Sequence, residues 1–87
     1  MKRKEHILVV DDNPISRLAL VELLKDNGYV ISECDTGAGC REALQRSLPD
    51  LIMLDVRLPD ANGIDLCREI RSSARYDKAF IGLISAS

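Results

Sequence analysis

The chain has 87 residues, of which 46% are hydrophobic and 30% are charged, and its formal net charge is −2. A chain of this length is expected to form one domain, and its weak negative charge gives no general attraction to nucleic acid or to an anionic membrane. The longest early apolar run, Ile7 to Val10, is too short for a signal peptide or a membrane helix. Three cysteines without a CxxC pair and a single histidine argue against a structural zinc site. Free thiols without an export signal favour a cytoplasmic location.

Hydrophobic periodicity alternates along the chain between short apolar runs and helical spacing. The short runs predict four strands, at 6–10, 29–34, 51–54 and 79–84. Three helices are predicted between them, from Pro14 to the Asn27-Gly28 stop, from the turn Asp35-Thr36-Gly37 to the break before Pro49, and after the loop that ends at Gly63. The helical side chains expected to face the core are Leu20, Leu23, Leu24, Ala43, Leu44, Leu66, Cys67 and Ile70.

The resulting βαβαβαβ order, with short connections, predicts a parallel sheet with helices on both faces. We therefore expect an α/β protein with a flavodoxin-like, doubly wound sheet in the strand order 2-1-3-4. Ligands in such sheets bind beyond the carboxyl ends of the strands, near the point where the strand order reverses. Candidate functional residues should therefore lie at that edge.

Acidic residues occupy the carboxyl ends of two predicted strands. Asp11 and Asp12 follow the first strand, and Asp55 follows the third. Because these two strands are neighbours in the order 2-1-3-4, the three side chains should converge. Each acid alone could cap a helix or a turn, but three close carboxylates without a basic partner repel one another and are costly to bury. Oxygen ligands on an open rim suit Mg²⁺, so we expect a magnesium site there.

Several features together resemble the receiver domain of response regulators in bacterial two-component systems. These features are the acid pair Asp11-Asp12, the strand end Leu54-Asp55, the loop 55–63 with the sequence DVRLPDANG, and Ser85-Ala86 after the fourth strand. They follow the family's order and spacing over nearly the whole chain. The resemblance implies that Asp55 is the phosphoacceptor. Asp55 would take a phosphoryl group from the phosphohistidine of a histidine kinase or of a histidine phosphotransfer domain, and so switch an output.

The same resemblance implies roles for the neighbouring residues. Asp12, Asp55 and the backbone carbonyl of Arg57 would ligate Mg²⁺, and Asp11 would reach the metal through water. The expected phosphoryl-binding groups are the Ser85 hydroxyl and the Ala86 N–H. The domain would not be an enzyme in the ordinary sense, because it would catalyse only its own phosphorylation and dephosphorylation.

The start of the first helix is the expected docking surface for the phosphodonor. Ile15 and Leu18 lie one helical turn apart there, off the predicted core face. The family uses this helix start, beside the active site, to bind the partner that carries the phosphohistidine. Because the net charge is −2, we expect no direct contact of this domain with nucleic acid or with a membrane.

The chain also departs from the family pattern. Residues 1–87 resemble a receiver domain that lacks the last helix-strand-helix segment and the lysine at the end of the fifth strand; a complete domain would have the order 2-1-3-4-5. The fourth strand is then expected at the edge of the sheet, where its unpaired backbone groups could pair with a second copy. We therefore expect that a dimer could form through strand four.

Three other functions are compatible with parts of the pattern. The missing lysine leaves open a receiver-like interaction module that takes no phosphoryl group. A haloacid-dehalogenase-like phosphatase also uses an aspartate nucleophile, but that class requires a second aspartate two residues later, where this chain has Arg57. A flavin or dinucleotide site is the least favoured, because no Gly-rich turn follows the first strand.

Overall fold

The computed structural model describes residues 4–84, so the predicted phosphoryl-binding residues Ser85 and Ala86 lie outside the described residues. The elements are β1 (His6–Val10), α1 (Pro14–Asp26), β2 (Val30–Cys34), α2 (Gly37–Arg46), β3 (Leu51–Asp55), α3 (Gly63–Arg71), a short 3-10 helix (Ala74–Tyr76) and β4 (Phe80–Ile84). The four strands form one sheet in the order β2-β1-β3-β4, and every pairing is parallel. The predicted α/β fold and strand order are confirmed.

The core lies on both faces of the two central strands. Side chains of β1 and β3 alternate between two clusters because successive residues of a strand point to opposite faces. The cluster beneath α2 and α3 contains Leu8, Val10, Cys40, Leu44, Ile52, Leu54, Leu66, Ile70 and Ala79. The cluster beneath α1 contains Ile7, Val9 and Val21. Burial on both faces explains why β1 and β3 are nearly continuous apolar runs.

The ends of α1 form as its sequence predicts. The Asn13 side-chain oxygen accepts hydrogen bonds from the amides of Ile15 and Ser16 at 2.9 and 3.1 Å, and Pro14 occupies the first helical position. At the other end, Gly28 has φ +86°, a left-handed conformation that favours glycine. These two caps fix where the chain leaves β1 and where it enters β2.

Some details of the predicted elements were wrong. Leu23 was expected in the core, but its side chain is 60% exposed, and Val21 is the buried residue of α1 at 2%. Leu20 and Leu24, one helical turn apart, are half-buried and pack against the cluster that contains Val21, whereas Leu23 falls off this face. The 3-10 helix before β4 was not predicted. No helix in residues 4–84 is long and apolar enough to cross a membrane.

Candidate acidic site at the carboxyl ends of β1 and β3

The register of the central strands brings the predicted acids together. Val10 of β1 lies beside Leu54 of β3, so the next residues, Asp11 and Asp55, lie side by side at the end of the two strands. Asp11, Asp12 and Asp55 each place a carboxylate oxygen within 4.8 Å of the other two. Asp11 and Asp55 are only 4% and 5% exposed, while Asp12 is open to solvent. The predicted convergence of the three acids is confirmed.

Asp11 is held through both its side chain and its backbone. Its Oδ1 accepts a hydrogen bond from the Asn13 amide at 2.9 Å, and its own amide donates to the Cys34 carbonyl at 3.1 Å. The guanidinium of Arg17 donates to the Asp11 carbonyl at 2.7 Å and also to Glu33 at 3.2 Å. Arg17 therefore fixes the backbone beside the acids without an ion pair to their carboxylates.

Asp55 is a buried carboxylate surrounded by negative charge. Burial raises the pKa of Asp55, and the charges of Asp11 and Asp12 act in the same direction. The Arg57 amide donates to Asp55 Oδ1 at 3.1 Å, which lowers this pKa but does not reverse the shift. The protein therefore maintains an aspartate in an environment that is unfavourable for its charged form.

Within residues 4–84, none of the ion pairs includes the three acids of the site. The pairs join Arg17 to Glu33, Arg41 to Glu69, Arg46 to Glu42, and Arg68 to Asp65. A cluster of carboxylates that no basic side chain neutralises is a favourable place for a cation with a preference for oxygen ligands. The donor set is therefore suited to a divalent metal ion.

The loop between β3 and α3 is closely folded back on Asp55. The Gly63 amide donates to the Val56 carbonyl at 2.7 Å, and Arg57 and Asn62 form an antiparallel bridge. A Cβ atom on Gly63 would collide with the Asp55 carbonyl oxygen and lie 2.8 Å from the Val56 Cα. Only glycine fits at this close approach, so Gly63 determines how the loop passes the acidic site.

Comparison with known proteins identifies the family. The family described as "Response regulator receiver domain" matches residues 7–87. The chain belongs to this family. Among curated proteins, the receiver is 38% identical over 79 residues to the TorCAD operon transcriptional regulatory protein TorR of Escherichia coli K12, a match that covers 91% of this chain and 32% of TorR. The chain thus spans about a third of the length of the curated relatives that it matches first.

Two solved structures extend the comparison to three dimensions. The receiver is 28% identical to the receiver domain of the sensor histidine kinase PA1611 from Pseudomonas aeruginosa PAO1, which has a magnesium ion coordinated in its active site cleft; the TM-score is 0.85, with 93% of this chain and 66% of that chain covered. It is 34% identical to the matched chain in the complex of the histidine kinase ThkA with the response regulator TrrA, with a TM-score of 0.85 and coverage of 94% and 69%.

The two predicted docking residues, Ile15 and Leu18, lie at the surface. Ile15 is 80% exposed and Leu18 is 60% exposed on the first turns of α1, which begins directly after the Asp11-Asp12 pair. Both side chains are free to contact another molecule. This exposure is consistent with the predicted docking surface and does not by itself assign a partner.

Asp60 is a residue of the receiver that sequence reasoning missed. Its carboxylate accepts hydrogen bonds from the amides of Gly37 and Ala38, at 2.7 and 3.0 Å, and so ties the β3–α3 loop to the start of α2. A helix N-terminus has unpaired amides, but Asp60 lies 23 residues away from Gly37 along the chain. No local pattern indicates such a distant cap.

Proposed function

We propose that this domain is the phosphoacceptor module of a two-component phosphorelay, in which Asp55 takes a phosphoryl group from a partner phosphohistidine in the presence of Mg²⁺. The observation that carries the proposal is the convergence of Asp11, Asp12 and Asp55 within 4.8 Å, without a basic partner among the described residues. Burying carboxylates in this way is unfavourable unless a cation or a reacting group compensates for it.

The donor atoms fit magnesium. Mg²⁺ prefers oxygen ligands, keeps several waters, and is held by one or two carboxylates plus phosphate oxygens. In this proposal Asp12, Asp55 and the Arg57 carbonyl are direct ligands, and Asp11 acts through water. The magnesium ion in the cleft of the PA1611 receiver supports this assignment. When bound, the ion would supply positive charge that neutralises the phosphoryl oxygens.

The chemical step requires little beyond positioning. A carboxylate oxygen of Asp55 attacks phosphorus, the P–N bond of the phosphohistidine breaks, and the imidazole nitrogen keeps the electron pair. The Arg57 amide, 3.1 Å from Asp55 Oδ1, orients the nucleophile for in-line attack. The Ser85 hydroxyl and the Ala86 N–H are proposed to bind the transferred phosphoryl oxygens.

The proposed partner is a histidine kinase or a histidine phosphotransfer domain in the cytoplasm. The complex of ThkA with TrrA supports a kinase partner for a receiver of this fold. The exposed Ile15 and Leu18 would contact the partner close to the acids, so that its phosphohistidine could reach Asp55. Output through other parts of a longer protein, as in regulators such as TorR, belongs to the same proposal.

Small-molecule phosphodonors test the proposal without the partner. Acetyl phosphate with Mg²⁺ should add one phosphoryl group to the wild-type protein, detected by intact mass, and none to Asp55→Asn. Asp65→Asn is the matched control, because Asp65 is an exposed acid in the first turn of α3 and should leave labelling unchanged. Equal labelling of Asp55→Asn would remove Asp55 from this role. Mg²⁺ binding by a wild-type protein that never accepts the group would instead favour the interaction module.

A further inference from the structure

Asp12 lies between two elements of regular structure and is placed by its neighbours. β1 ends at Val10 and α1 begins at Pro14, so Asp12 belongs to neither element. Its carboxylate is nevertheless one of the three that converge within 4.8 Å. Because a residue has only two soft backbone dihedral angles, the peptide groups before and after Asp12 determine the direction in which its side chain leaves the backbone.

A hydrogen bond holds the peptide group on each side of Asp12. On the carboxyl side, the Asn13 amide donates to Asp11 Oδ1 at 2.9 Å. On the amino side, the Asp11 carbonyl accepts from the guanidinium of Arg17 at 2.7 Å. Since the peptide group is planar, a bond that fixes the Asp11 carbonyl also fixes the amide of Asp12. Arg17 therefore controls one of the two peptide groups that direct the Asp12 carboxylate.

Arg17 is itself anchored at both ends. Its amide donates to the Asn13 carbonyl at 2.9 Å, and its guanidinium donates to Glu33 at 3.2 Å as well as to Asp11. Glu33 pairs with Val9, which lies in the core cluster beneath α1, so Glu33 is on the sheet face that α1 covers. The Arg17 side chain is only 22% exposed. A guanidinium that spans two acceptors has little freedom to leave the Asp11 carbonyl.

The charge of Arg17 opposes a cation at the acidic site. Its guanidinium lies against the backbone of Asp11, close to the proposed magnesium ion, and like charges repel. The ion pair with Glu33 offsets this repulsion. Together, Arg17 and Glu33 provide a directed hydrogen-bond donor at the Asp11 carbonyl with little net charge. Orientation of the backbone, and not attraction of the metal, is therefore the effect that this pair can have on the site.

We propose that Arg17 is a positioning residue for magnesium binding: its hydrogen bond to the Asp11 carbonyl holds Asp12 in the orientation in which the carboxylate binds the ion. Glu33 keeps Arg17 in place, so β2 contributes to the site although it carries none of the three acids. This role rests on the proposed function, in which Asp12 is a direct ligand of Mg²⁺. Groups that orient a metal ligand typically change metal affinity by about 10- to 100-fold.

Magnesium titrations of folded variants test the role of Arg17. The dissociation constant is obtained from the amide shifts of residues 11–13 and 55–58, which report the folded protein alone and are not affected by a change in stability. Arg17→Met removes the guanidinium and keeps an unbranched side chain for packing. We expect Mg²⁺ to bind Arg17→Met about tenfold more weakly than the wild type. If Arg17 acted only through its charge, its removal would instead strengthen Mg²⁺ binding.

Two further variants complete the test. Lys25→Met is the matched control, because it removes the same charge from an exposed position in the last turn of α1 and should bind Mg²⁺ like the wild type. Arg17→Lys keeps the charge but replaces the planar donor that spans two acceptors with a single ammonium. It should bind Mg²⁺ more weakly than the wild type and more tightly than Arg17→Met, and it decides the question if Arg17→Met does not fold.

The possible results distinguish this role from the proposed function. Equal or tighter Mg²⁺ binding by Arg17→Met would overturn the positioning role, and so would equal binding by Arg17→Lys and the wild type. In both cases the wild type still binds Mg²⁺, so the proposed function stands. A wild type that binds no Mg²⁺ would overturn the magnesium site and, with it, the role of Arg17.

Discussion

Asp60 Oδ1 accepts a hydrogen bond from the Gly37 amide at 2.7 Å, which joins the loop after β3 to the first residue of α2. The Gly37 and Ala38 amides lower the pKa of Asp60 below its ordinary value of 3.8. The charged carboxylate therefore stabilises the folded state. This contribution is fully present above pH 3.8 and is lost as the pH falls through the lower folded pKa.

The first prediction follows from the lowered pKa of Asp60. Asp60→Asn should be less stable than the wild type at neutral pH, and the difference should close as the pH falls below 3.8, measured by urea unfolding at a series of pH values. Asp77→Asn, at an exposed acid after the 3-10 helix, should show no such closing difference. A stability gap for Asp60→Asn that stays constant into acid would contradict the charged cap.

The second prediction concerns the metal. Titration with Mg²⁺ should shift the amide resonances of residues 11–13 and 55–58 and should raise the melting temperature, because the ion binds only the folded site. Asp12→Ala should abolish both effects while the protein stays folded, since Asp12 is exposed. Asp26→Ala, at the far end of α1, is the control and should respond like the wild type. Unchanged shifts in Asp12→Ala would remove Asp12 from the ligand set.

The third prediction tests the close approach at Gly63. Gly63→Ala should destabilise the fold by about 3 kcal/mol, the upper part of the range for overpacking, because the added methyl group meets backbone atoms of Asp55 and Val56 that cannot rotate away. Gly82→Ala is the matched control in β4, since a Cβ atom there has no neighbour within 4 Å. Equal free energies of unfolding for the two variants would show that the loop can move aside.

The fourth prediction separates docking from chemistry. Ile15→Glu should slow phosphoryl transfer from a phosphorylated histidine kinase by about tenfold or more, because a charge replaces an apolar contact in the interface. The rate with acetyl phosphate should stay the same, since Ile15 is 80% exposed and outside the acid cluster. Leu23→Glu, at a 60% exposed leucine on the same helix, should change neither rate. Loss of both rates in Ile15→Glu would place its effect on the acidic site itself.

The fifth prediction concerns the edge of the sheet. Within residues 4–84, β4 pairs only with β3, and Phe80 and Leu83 are 77% and 48% exposed. An unpaired strand edge with exposed apolar side chains favours association with a second copy. The 87-residue polypeptide should therefore dimerise at high concentration in sedimentation equilibrium, and Phe80→Glu should weaken the dimer. The control variant Leu23→Glu should leave the dimer unchanged. A monomer at every concentration would exclude pairing through β4.

The sequence predicted the parts of this structure that depend on neighbouring residues. The strands at 6–10 and 51–54 are nearly continuous apolar runs because both faces are buried, and the acids that follow them can be read directly from the sequence. The face of α1 was misjudged at Leu23 because apolar residues occur around much of that helix, so the periodicity does not select one side. The Asp60–Gly37 cap depends on packing between distant segments, which no local pattern encodes.

The register of β1 also determines when the acidic site can exist. His6 pairs with Val30 and Ile7 pairs with Leu51, so β1 completes its hydrogen bonds only with segments that lie much later in the sequence. Asp11 and Asp12 have no third carboxylate beside them until β3 has docked, and such distant pairings form slowly. A cation that needs all three acids cannot act as a folding nucleus. It would slow unfolding of the finished domain and leave the folding rate nearly unchanged.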